Sequence, residues 1–498
     1  MNINSGKAAH SLLWSGVESG SLALISFGSL VVYSRLLTSS QFGLFSIVQA
    51  LTDLLGVIAT MLFHDALVQR PKVTDLHFDT AFTVTIALSL ALAGACWGTA
   101  PLFHRSVGVE GAGAVLAWMS LMFPCLGLSA TIVAQQRRQF EFKSLALRSL
   151  SGRVLGGGAG VAAALMGAGV WSLVIQQILT ALVGSTVLWA TAKQTPRLRF
   201  GVREFRELIG FGIFAVSGLF LSFSIKRLFT MAAGLILGVA TAGYLNLAFR
   251  VVDVLWAILS SAVGQVSLPM LSGLQAEPLR LRRAYSRSVE FACLLLYPCF
   301  IGIAVTSAEI VEAVFGKSWA PTAPCISALA CLVLLQTPRI FTTPVLTAVG
   351  RPRDALVGIG VELVFMLVVL ATLGMPTLAW AVGIWVASEC SQIPVSTWLL
   401  WRVTGYSIRD QLIAIRTPAL AGAALALAIV AVRMVLPANL GVQLQLACFV
   451  MVGAIVYGAS IILFDRRLVL SFVGFVRSGF GRSKFEPVTP GTKYADSR

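Results

Sequence analysis

Long apolar stretches separated by short polar gaps run along almost all of this 498-residue chain. About fourteen stretches can be counted, each of about 20 residues or more, enough to cross about 30 Å of hydrocarbon at 1.5 Å per residue. In lipid only helices and closed barrels provide a hydrogen-bond partner for every backbone N–H and C=O group. Barrel strands would alternate between apolar and polar residues, which these stretches do not, so the pattern predicts spanning helices. The predicted spans are 12–37, 42–63, 80–103, 111–133, 144–166, 170–190, 209–236, 239–263, 289–311, 322–346, 353–373, 377–401, 417–436 and 444–464.

The basic residues are sorted between the polar gaps. With the N-terminus placed inside, and with a basic residue among the first or last five of a span counted with the adjoining segment, the inside segments hold 28 of the 37 lysines and arginines and the outside gaps hold four. The remaining five lie deeper within spans. This partition follows the positive-inside rule, which predicts a bacterial inner-membrane protein with both termini in the cytoplasm. The outside gaps are short, and the longest lies around residues 312–321. No folded domain outside the membrane is therefore expected, which argues against nucleotide-binding, sensor and soluble catalytic domains.

Composition agrees with a membrane protein, since 57% of residues are hydrophobic and 12% are charged, against about 25% charged in a soluble domain. The net charge of +16 is explained by basic loops against anionic lipid headgroups, so no nucleic-acid partner is predicted. All eight cysteines lie within apolar segments without metal-ligand spacing, so they are interpreted as small buried hydrophobic residues. Neither a metal site nor a cofactor is predicted. The tripeptide 316–318 (GKS) is interpreted as a turn, because position 311 is Val where a phosphate-binding loop needs Gly.

Several charged residues lie deep within the predicted spans. A lipid-facing charge at mid-membrane depth costs at least about 2.5–3.5 kcal/mol, so these side chains must face each other or a wet cavity. Arg250 and Asp253 stand three residues apart on one helix and are predicted to form a structural salt bridge. The deep charged residues are Asp53, Arg153, Lys226, Arg227, Arg250, Asp253, Glu362 and Glu389.

Lys226 and Arg227 are adjacent cations in the seventh span, and no carboxylate lies within one helical turn of them. We therefore expect them to bind an anionic substrate group such as a phosphate-bearing headgroup. Arginine offers phosphate two parallel donors, and lysine acts as a compact point charge. Asp53, Glu362 and Glu389 are candidates for coupling to protons or cations. Residues alone thus predict a transporter whose internal cavity favours anions.

Glycines 152, 156 and 160 stand four residues apart in the fifth span. Small residues at this spacing let two helices approach closely. Tight packing within the bundle is the preferred interpretation, and a hinge used during transport is the alternative.

Beyond these patterns, six short motifs resemble landmarks of the Wzx-like polysaccharide transporters, which flip lipid-linked oligosaccharides. They occur in the same order as in that family, from about residue 35 to residue 352. Each motif alone is weak, but the set is specific. The matching segments are 35–44 (RLLTSSQFGL), 66–70 (ALVQR) with 78–82 (FDTAF), 243–250 (GYLNLAFR), 281–285 (LRRAY), 315–319 (FGKSW) and 348–352 (AVGRP).

The resemblance implies an all-α membrane fold of the exporter superfamily that also holds drug extruders and lipid II flippases. Two pseudo-twofold-related six-helix lobes would form a V-shaped cavity. The implied divisions are an N-lobe (1–190), a basic cytoplasmic linker (191–208), a C-lobe (209–401), two additional helices (402–464) and a basic cytoplasmic tail (465–498), expected to be disordered.

The implied substrate is an undecaprenyl-pyrophosphate-linked repeat unit, turned towards the periplasm for exopolysaccharide, capsule or O-antigen assembly. A polysaccharide polymerase and co-polymerase are possible partners. Family cavities are typically cationic, which suits Arg153, Lys226, Arg227 and Arg250. One departure is Phe229, which stands where many relatives carry an Asp in the seventh span. The coupling carboxylate, if there is one, must then lie elsewhere.

Three other functions compete with a flippase of this kind. Another exporter of the superfamily, such as a lipid II flippase or a drug/cation antiporter, would share the fold. A membrane-embedded glycan polymerase or ligase would be expected to carry large outside loops, which this chain lacks. A purely structural scaffold would have no use for charges buried in the membrane.

Overall fold

Helix occupies every predicted span in a computed structural model, which describes residues 5–272, 278–349, 351–437 and 440–480. Those residues contain no strand. The last helix continues past the predicted span end at residue 464 to Phe480, with a break at Asp465; the rest of the predicted tail, 481–498, lies outside the described residues. The fourteen segments are α1 (Ser5–Leu36), α2 (Ser39–Met61), α3 (Asp75–Val107), α4 (Ala112–Met119 and Met122–Arg138), α5 (Phe142–Leu165), α6 (Val170–Thr191), α7 (Val202–Leu237), α8 (Val239–Ser272), α9 (Pro278–Val305), α10 (Thr322–Gln336 and Thr342–Ala348), α11 (Pro352–Leu373), α12 (Leu378–Thr404), α13 (Ile408–Val435) and α14 (Val442–Phe480).

Ten helical segments of the described chain are long and apolar enough to cross a membrane. Their outer faces carry large apolar side chains such as Leu427, Met434 and Leu463, each more than two-thirds exposed. Contiguous apolar surface of this kind is normal where lipid, not water, is the neighbour. The chain is a multi-pass membrane protein. The predicted spans outside those ten are α1, α5, α7 and α12, and the last three carry deep charges.

The first six helices and helices α7–α12 pack in the same pairwise order. In each half the third helix packs on the fourth, the fifth on the sixth, and the fourth on both the second and the sixth. This repetition is what two pseudo-twofold-related six-helix lobes require. The halves meet where α2 packs against α7 and α8, and α13 and α14 pack together on α9.

Two glycines allow α2 and α8 to cross at their first turns. A Cβ atom on Gly43 would collide with the carbonyl oxygen of Val239, and one on Gly243 would collide with that of Ser39. The two positions are symmetric, since each glycine is four residues into its helix. α2 begins there because the Thr38 hydroxyl accepts a hydrogen bond from the backbone of Gln41 while the Gln41 side chain accepts one from Thr38. These residues belong to two of the motifs and fix the crossing between the halves.

The glycine stripe of α5 packs against the backbone of α6. A Cβ atom at any of its three positions would lie within 3 Å of a backbone carbonyl oxygen of α6, which real side chains do not tolerate. Tight packing is therefore confirmed. The facing pairs are Gly152 with Thr180, Gly156 with Gln176 and Gly160 with Ser172.

The loops 70–74, 139–141 and 192–201 lie together at one end of the bundle, called here the basic end. The segment that joins the halves is held against the first half there: Asp79 accepts a hydrogen bond from the backbone N–H of Arg197 (2.7 Å), and the Thr80 hydroxyl accepts one from Gly201 (3.0 Å). Asp79 and Thr80 come from the FDTAF motif. That motif therefore anchors the connection between the halves.

A second attachment at the basic end joins the start of α7 to the first half. Glu207 pairs with Arg70, the last residue of the ALVQR motif, and also accepts hydrogen bonds from Arg203 (2.9 Å) and His77 (3.2 Å). The hydrogen bonds from Arg203 and His77 hold the pKa of the Glu207 carboxyl below its usual range. Glu207 therefore stays ionised and bridges both elements.

Candidate functional site

The adjacent cations of α7 point into different parts of the molecule. The Arg227 guanidinium lies 2.8 Å from an Asp53 carboxylate oxygen of α2, and the Lys226 ammonium lies 2.6 Å from an Asp253 oxygen of α8. Successive residues of a helix are turned about 100° from each other, so one faces each neighbour. The expectation of two cations without carboxylate partners is wrong, because the partners come from other helices, which sequence spacing does not reveal.

The predicted salt bridge between Arg250 and Asp253 is also wrong. Arg250 donates a hydrogen bond to the Gln49 side-chain oxygen (2.7 Å) and lies over the Phe42 ring, both on α2. Asp253 is engaged by Lys226. Arg250 thus lies where the two halves of the molecule meet.

A cavity of about 390 Å³ opens between α2, α4, α5 and α7, and we call it the N-half cavity. Among the described residues, three arginines line it, Arg137, Arg148 and Arg227, together with a single carboxylate, Asp53. Positive charge therefore exceeds negative charge on its walls. An anionic group is the ligand that such walls favour, since arginine forks match phosphate and carboxylate oxygens.

Arg153 lies in a smaller adjoining cavity of about 210 Å³ between α1, α4, α5 and α6, called here the side pocket. Arg148 lines both cavities and connects them. Arg227 and Arg153 therefore lie in adjoining cavities with arginine in their walls, whereas Lys226 lies in neither. Sequence reasoning missed the role of Arg148 because it lies close to the start of its span. Because Arg148 lies inside span 144–166, five residues before Arg153, its position could have identified it as a candidate.

A third cavity, of about 300 Å³, lies among helices of the second half and is called here the C-half cavity. Lys226 and Asp253 line it together with Glu362 and Glu389. The Gln392 side-chain N–H₂ donates to both glutamates, at 3.2 Å to Glu362 and 2.9 Å to Glu389. Two of the predicted coupling residues are therefore neighbours, while the third, Asp53, lies in the N-half cavity.

Charge is thus divided between the halves. Among the described lining residues, three carboxylates against one lysine make the C-half cavity acidic, whereas the N-half cavity is basic. Gln392 and Gln336, whose side chain donates to Glu389 at 2.8 Å, are functional candidates that sequence analysis did not single out. One half is suited to an anion and the other to a proton or cation.

The end of the bundle opposite the basic end is closed by two motifs that lie about 280 residues apart. The Arg35 side chain donates hydrogen bonds to the carbonyl oxygens of Ala313 and Val314, and the Trp319 indole N–H donates to the Ser34 carbonyl oxygen (2.7 Å). Trp319 is 1% exposed. This contact set is called here the end lock, and it joins α1 to the short helices after α9.

The Trp319 ring completes the end lock by packing on both sides of the interface between the halves. It lies edge-on to Phe42 of α2, with ring centres 5.5 Å apart, and to Tyr244 of α8, at 5.9 Å. Both helices are in contact here at the Gly43–Gly243 crossing. The end lock therefore holds the two halves in contact at this end of the bundle.

Comparison with known proteins identifies the family to which this chain is similar. A family model described as "Polysaccharide biosynthesis protein" matches residues 32–324, more than half of the chain. The succinoglycan biosynthesis transport protein ExoT of Rhizobium meliloti (strain 1021) is 24% identical over 351 residues, covering 70% of this chain and 71% of that protein. The lipopolysaccharide biosynthesis protein WzxC of Escherichia coli (strain K12) is 22% identical over 330 residues, covering 65% of this chain and 66% of that protein.

Among solved structures, the lipid II flippase MurJ in an inward closed conformation superposes with a TM-score of 0.76 at 13% identity, covering 92% of this chain and all of that one. At this identity the likeness concerns the fold alone. ExoT is named as a transport protein and MurJ as a flippase. The chain belongs to the polysaccharide biosynthesis protein family, among its Wzx-like exporters.

Proposed function

We propose that this protein is a flippase that carries an undecaprenyl-pyrophosphate-linked oligosaccharide from the cytoplasmic to the periplasmic leaflet by alternating access. The observation that carries the proposal is the N-half cavity, where the described lining residues include three arginines and one carboxylate. A pyrophosphate group brings the negative charge that these walls lack. The substrate family follows from the polysaccharide transport proteins to which the chain is similar.

The proposed orientation places the basic end in the cytoplasm and the end lock at the periplasmic side of a bacterial inner membrane, with both termini cytoplasmic. Support comes from the partition of lysines and arginines, since basic loops remain on the cytoplasmic side. The end lock would then keep the periplasmic side shut while the cavities receive substrate from the cytoplasm. Lobes 1–190 and 209–401 would rock about the α2–α8 crossing, tethered by linker 191–208. Helices within 402–464 would stay attached to α9.

Arg227 is the proposed principal contact for the pyrophosphate, with Arg153 and Arg250 nearby. Asp53 neutralises Arg227 at 2.8 Å. An arriving pyrophosphate can replace Asp53 as the partner because it offers more oxygens and more charge to the arginine fork. Such an exchange holds the cation in place without leaving it unpaired in the membrane.

Lys226 is reassigned within the proposal from substrate binding to coupling. Glu362 and Glu389 share one amide group, so their nearest oxygens are within about 6 Å, the most that two hydrogen bonds to one nitrogen allow. Two carboxylates so close in an apolar setting do not both stay ionised without a compensating cation or proton. Lys226 of α7 pairs with Asp253 in the same cavity, so a change in the charge of the glutamates would act on Lys226. Arg227 is the next residue of that helix.

Deletion of the gene tests the proposed function. Surface polysaccharide should be lost, undecaprenyl-linked repeat units should accumulate, and both should be restored by a plasmid copy. Glycan polymerase and ligase activities should be normal when substrate is supplied in the periplasmic leaflet, because the polymerase that consumes the exported unit is a separate partner. Unchanged glycan with no accumulated intermediate would contradict the proposal.

A further inference from the structure

Helix α10 is interrupted within the second half of the molecule, and Arg339 lies at the interruption. A 3-10 turn that ends at Arg339 separates the two parts of α10, because Pro338 has no N–H to donate to the Leu334 carbonyl oxygen four residues earlier. The Tyr297 hydroxyl donates to that oxygen instead (3.1 Å), and the Tyr285 hydroxyl donates to the Pro338 carbonyl oxygen (3.2 Å). Side chains of α9 therefore stabilise the break.

The Arg339 guanidinium is held by neutral oxygens, although it lies within a membrane span. It donates to the Ser396 hydroxyl of α12 (2.9 Å) and to the Leu335 carbonyl oxygen (3.2 Å), and it forms no ion pair with a described carboxylate. A charged side chain within a span is costly, and such side chains usually pair with one another. A carboxylate partner for Arg339 is therefore expected in at least one state of the transport cycle.

The pocket beside Arg339 shares wall residues with the C-half cavity. It has a volume of about 200 Å³, and we call it the α10 pocket. Gln336 and Gln392, the two glutamines that donate to Glu389, line both cavities. Arg339 and Ser396 line the α10 pocket alone, and its described lining residues include no carboxylate. Positive charge therefore lies on one side of the two glutamines, and Glu389 lies on the other.

A rotation of the arginine side chain would bring it to this carboxylate. Gln336, which donates to Glu389 at 2.8 Å, precedes Arg339 by three residues. Side chains three residues apart on a helix are neighbours, with Cβ atoms about 5–6 Å apart. Because α7 begins at the basic end and successive helices alternate in direction, α10 runs towards that end. Arg339 would therefore approach Glu389 from the side of the basic end.

Other charged and titratable side chains around Arg339 and Glu389 come from four further helices. They are Lys226 of α7, Asp253 of α8, Tyr285 of α9 and Glu362 of α11. Asp253 already engages Lys226, and the Tyr285 hydroxyl donates to a backbone carbonyl oxygen. Of the two cations that line the C-half cavity and the α10 pocket in the described chain, Arg339 is the one without a carboxylate partner.

We propose that Arg339 is an internal cation that takes the place of the coupling proton or cation at the glutamate pair, Glu362 and Glu389. This inference rests on the coupling role in the proposed function and adds the step that releases the ion. Arg339 stays on Ser396, the position seen here, while the pair carries its proton or cation. When Arg339 turns to Glu389 it supplies the positive charge, and a proton held by the pair passes to water on the side of the basic end.

Infrared spectroscopy of the purified full-length protein tests the proposal, because the carboxyl C=O band disappears as the glutamate pair loses its proton at rising pH. Glu389→Gln identifies the band. Arg339→Gln should hold the proton about 10-fold more tightly, so that it is lost at higher pH, because the competing cation is gone. Arg339→Lys keeps the charge and should restore most of the wild-type titration.

Two further variants separate this exchange from a fixed charge. Ser396→Ala should shift the titration about 5-fold in the opposite direction, to lower pH, because it removes the hydrogen bond that holds Arg339 away from the pair. Arg416→Gln is the matched control and should not shift it, since Arg416 is an exposed arginine of α13 that lines neither cavity.

Each contrary result is decisive for Arg339. An unchanged titration in Arg339→Gln overturns the proposal, and so does a Ser396→Ala titration that is unchanged or shifts to higher pH. Export by Arg339→Gln that still responds normally to the ion gradient would also overturn it, because the ion would then leave without the arginine. The titration requires no transport, so gene deletion decides the proposed function separately. Lost surface glycan on deletion, together with an unchanged titration in Arg339→Gln, would leave the flippase function standing without this step.

Discussion

Lys226 and Arg227 are neighbours in the chain, yet their charged groups lie in different cavities, one against Asp253 of α8 and the other against Asp53 of α2. A substrate that binds in one cavity and a proton or cation that binds in the other would thus act on consecutive residues of one helix. Rotation or translation of α7 necessarily moves both. This is a direct mechanical connection between the basic and acidic cavities.

Single substitutions should separate the two roles. Arg227→Gln should weaken inorganic pyrophosphate binding about 10-fold or more, since a charge-assisted hydrogen bond contributes about 1.5–3 kcal/mol. Lys226→Gln should leave that affinity unchanged and should instead alter the dependence of export on the ion gradient. Calorimetry and glycan export measured at several external pH values check the two expectations. Equal loss of pyrophosphate affinity in both variants would contradict the assignment of pyrophosphate binding to Arg227 and of coupling to Lys226.

The glutamate pair should govern coupling. Glu389→Gln and Glu362→Gln should each insert normally but lose the stimulation of export by an inward proton or cation gradient. A glutamine at either position is permanently neutral, so the pair can no longer change its charge by binding a proton or a cation. Export in spheroplasts with and without an uncoupler measures this. Glu312→Gln serves as control, since Glu312 lies on the outer loop beside Lys317. Gradient-dependent export that is normal in both pair variants would remove the pair from the mechanism.

Weakening the end lock should favour opening at that end. Trp319→Phe removes the indole N–H that donates to Ser34, so the open state should become more populated by about 5-fold, the effect of losing one buried hydrogen bond. Spin labels at positions 110 and 317, both exposed, report the separation of the two halves by pulsed electron resonance.

Trp118→Phe is the control for that experiment, because Trp118 is half-exposed on the outer face and takes no part in the end lock. The distance distribution should shift to longer values in Trp319→Phe alone. The same distribution in all three proteins would show that the lock does not hold the halves together.

The topology can be tested independently of transport. Reporter fusions after residues 137, 199, 283 and 484 should behave as cytoplasmic, and a fusion near Lys317 as periplasmic. The first two sites lie at the basic end, and Lys317 lies beside the end lock. A cytoplasmic signal at Lys317 would overturn the proposed orientation.

The helices were predictable because a bilayer imposes length and hydropathy on each span independently of its neighbours. The ion pairs were not, because they depend on which helices pack together. Arg250 and Asp253 have the right spacing for a bridge, but α8 presents one to α2 and the other to α7. The motifs were better guides than spacing: residues of three of them meet in the end lock and the helix crossing. Phe229, where the family resemblance implies an Asp, is 1% exposed and packs on Trp385. An apolar contact therefore fills that position.

The role of Arg227 as a substrate contact is tested most directly by neutralising its ion pair as a whole. Breaking a buried pair by removing one partner costs about 3–5 kcal/mol, because it leaves a lone charge. The double variant Asp53→Asn/Arg227→Gln avoids that cost, so its abundance should match the wild type. We predict that in a strain lacking the native gene this variant restores no surface glycan and accumulates lipid-linked repeat units in the cytoplasmic leaflet. Wild-type export by the double variant at wild-type abundance would show that the pair is purely structural and would contradict the account.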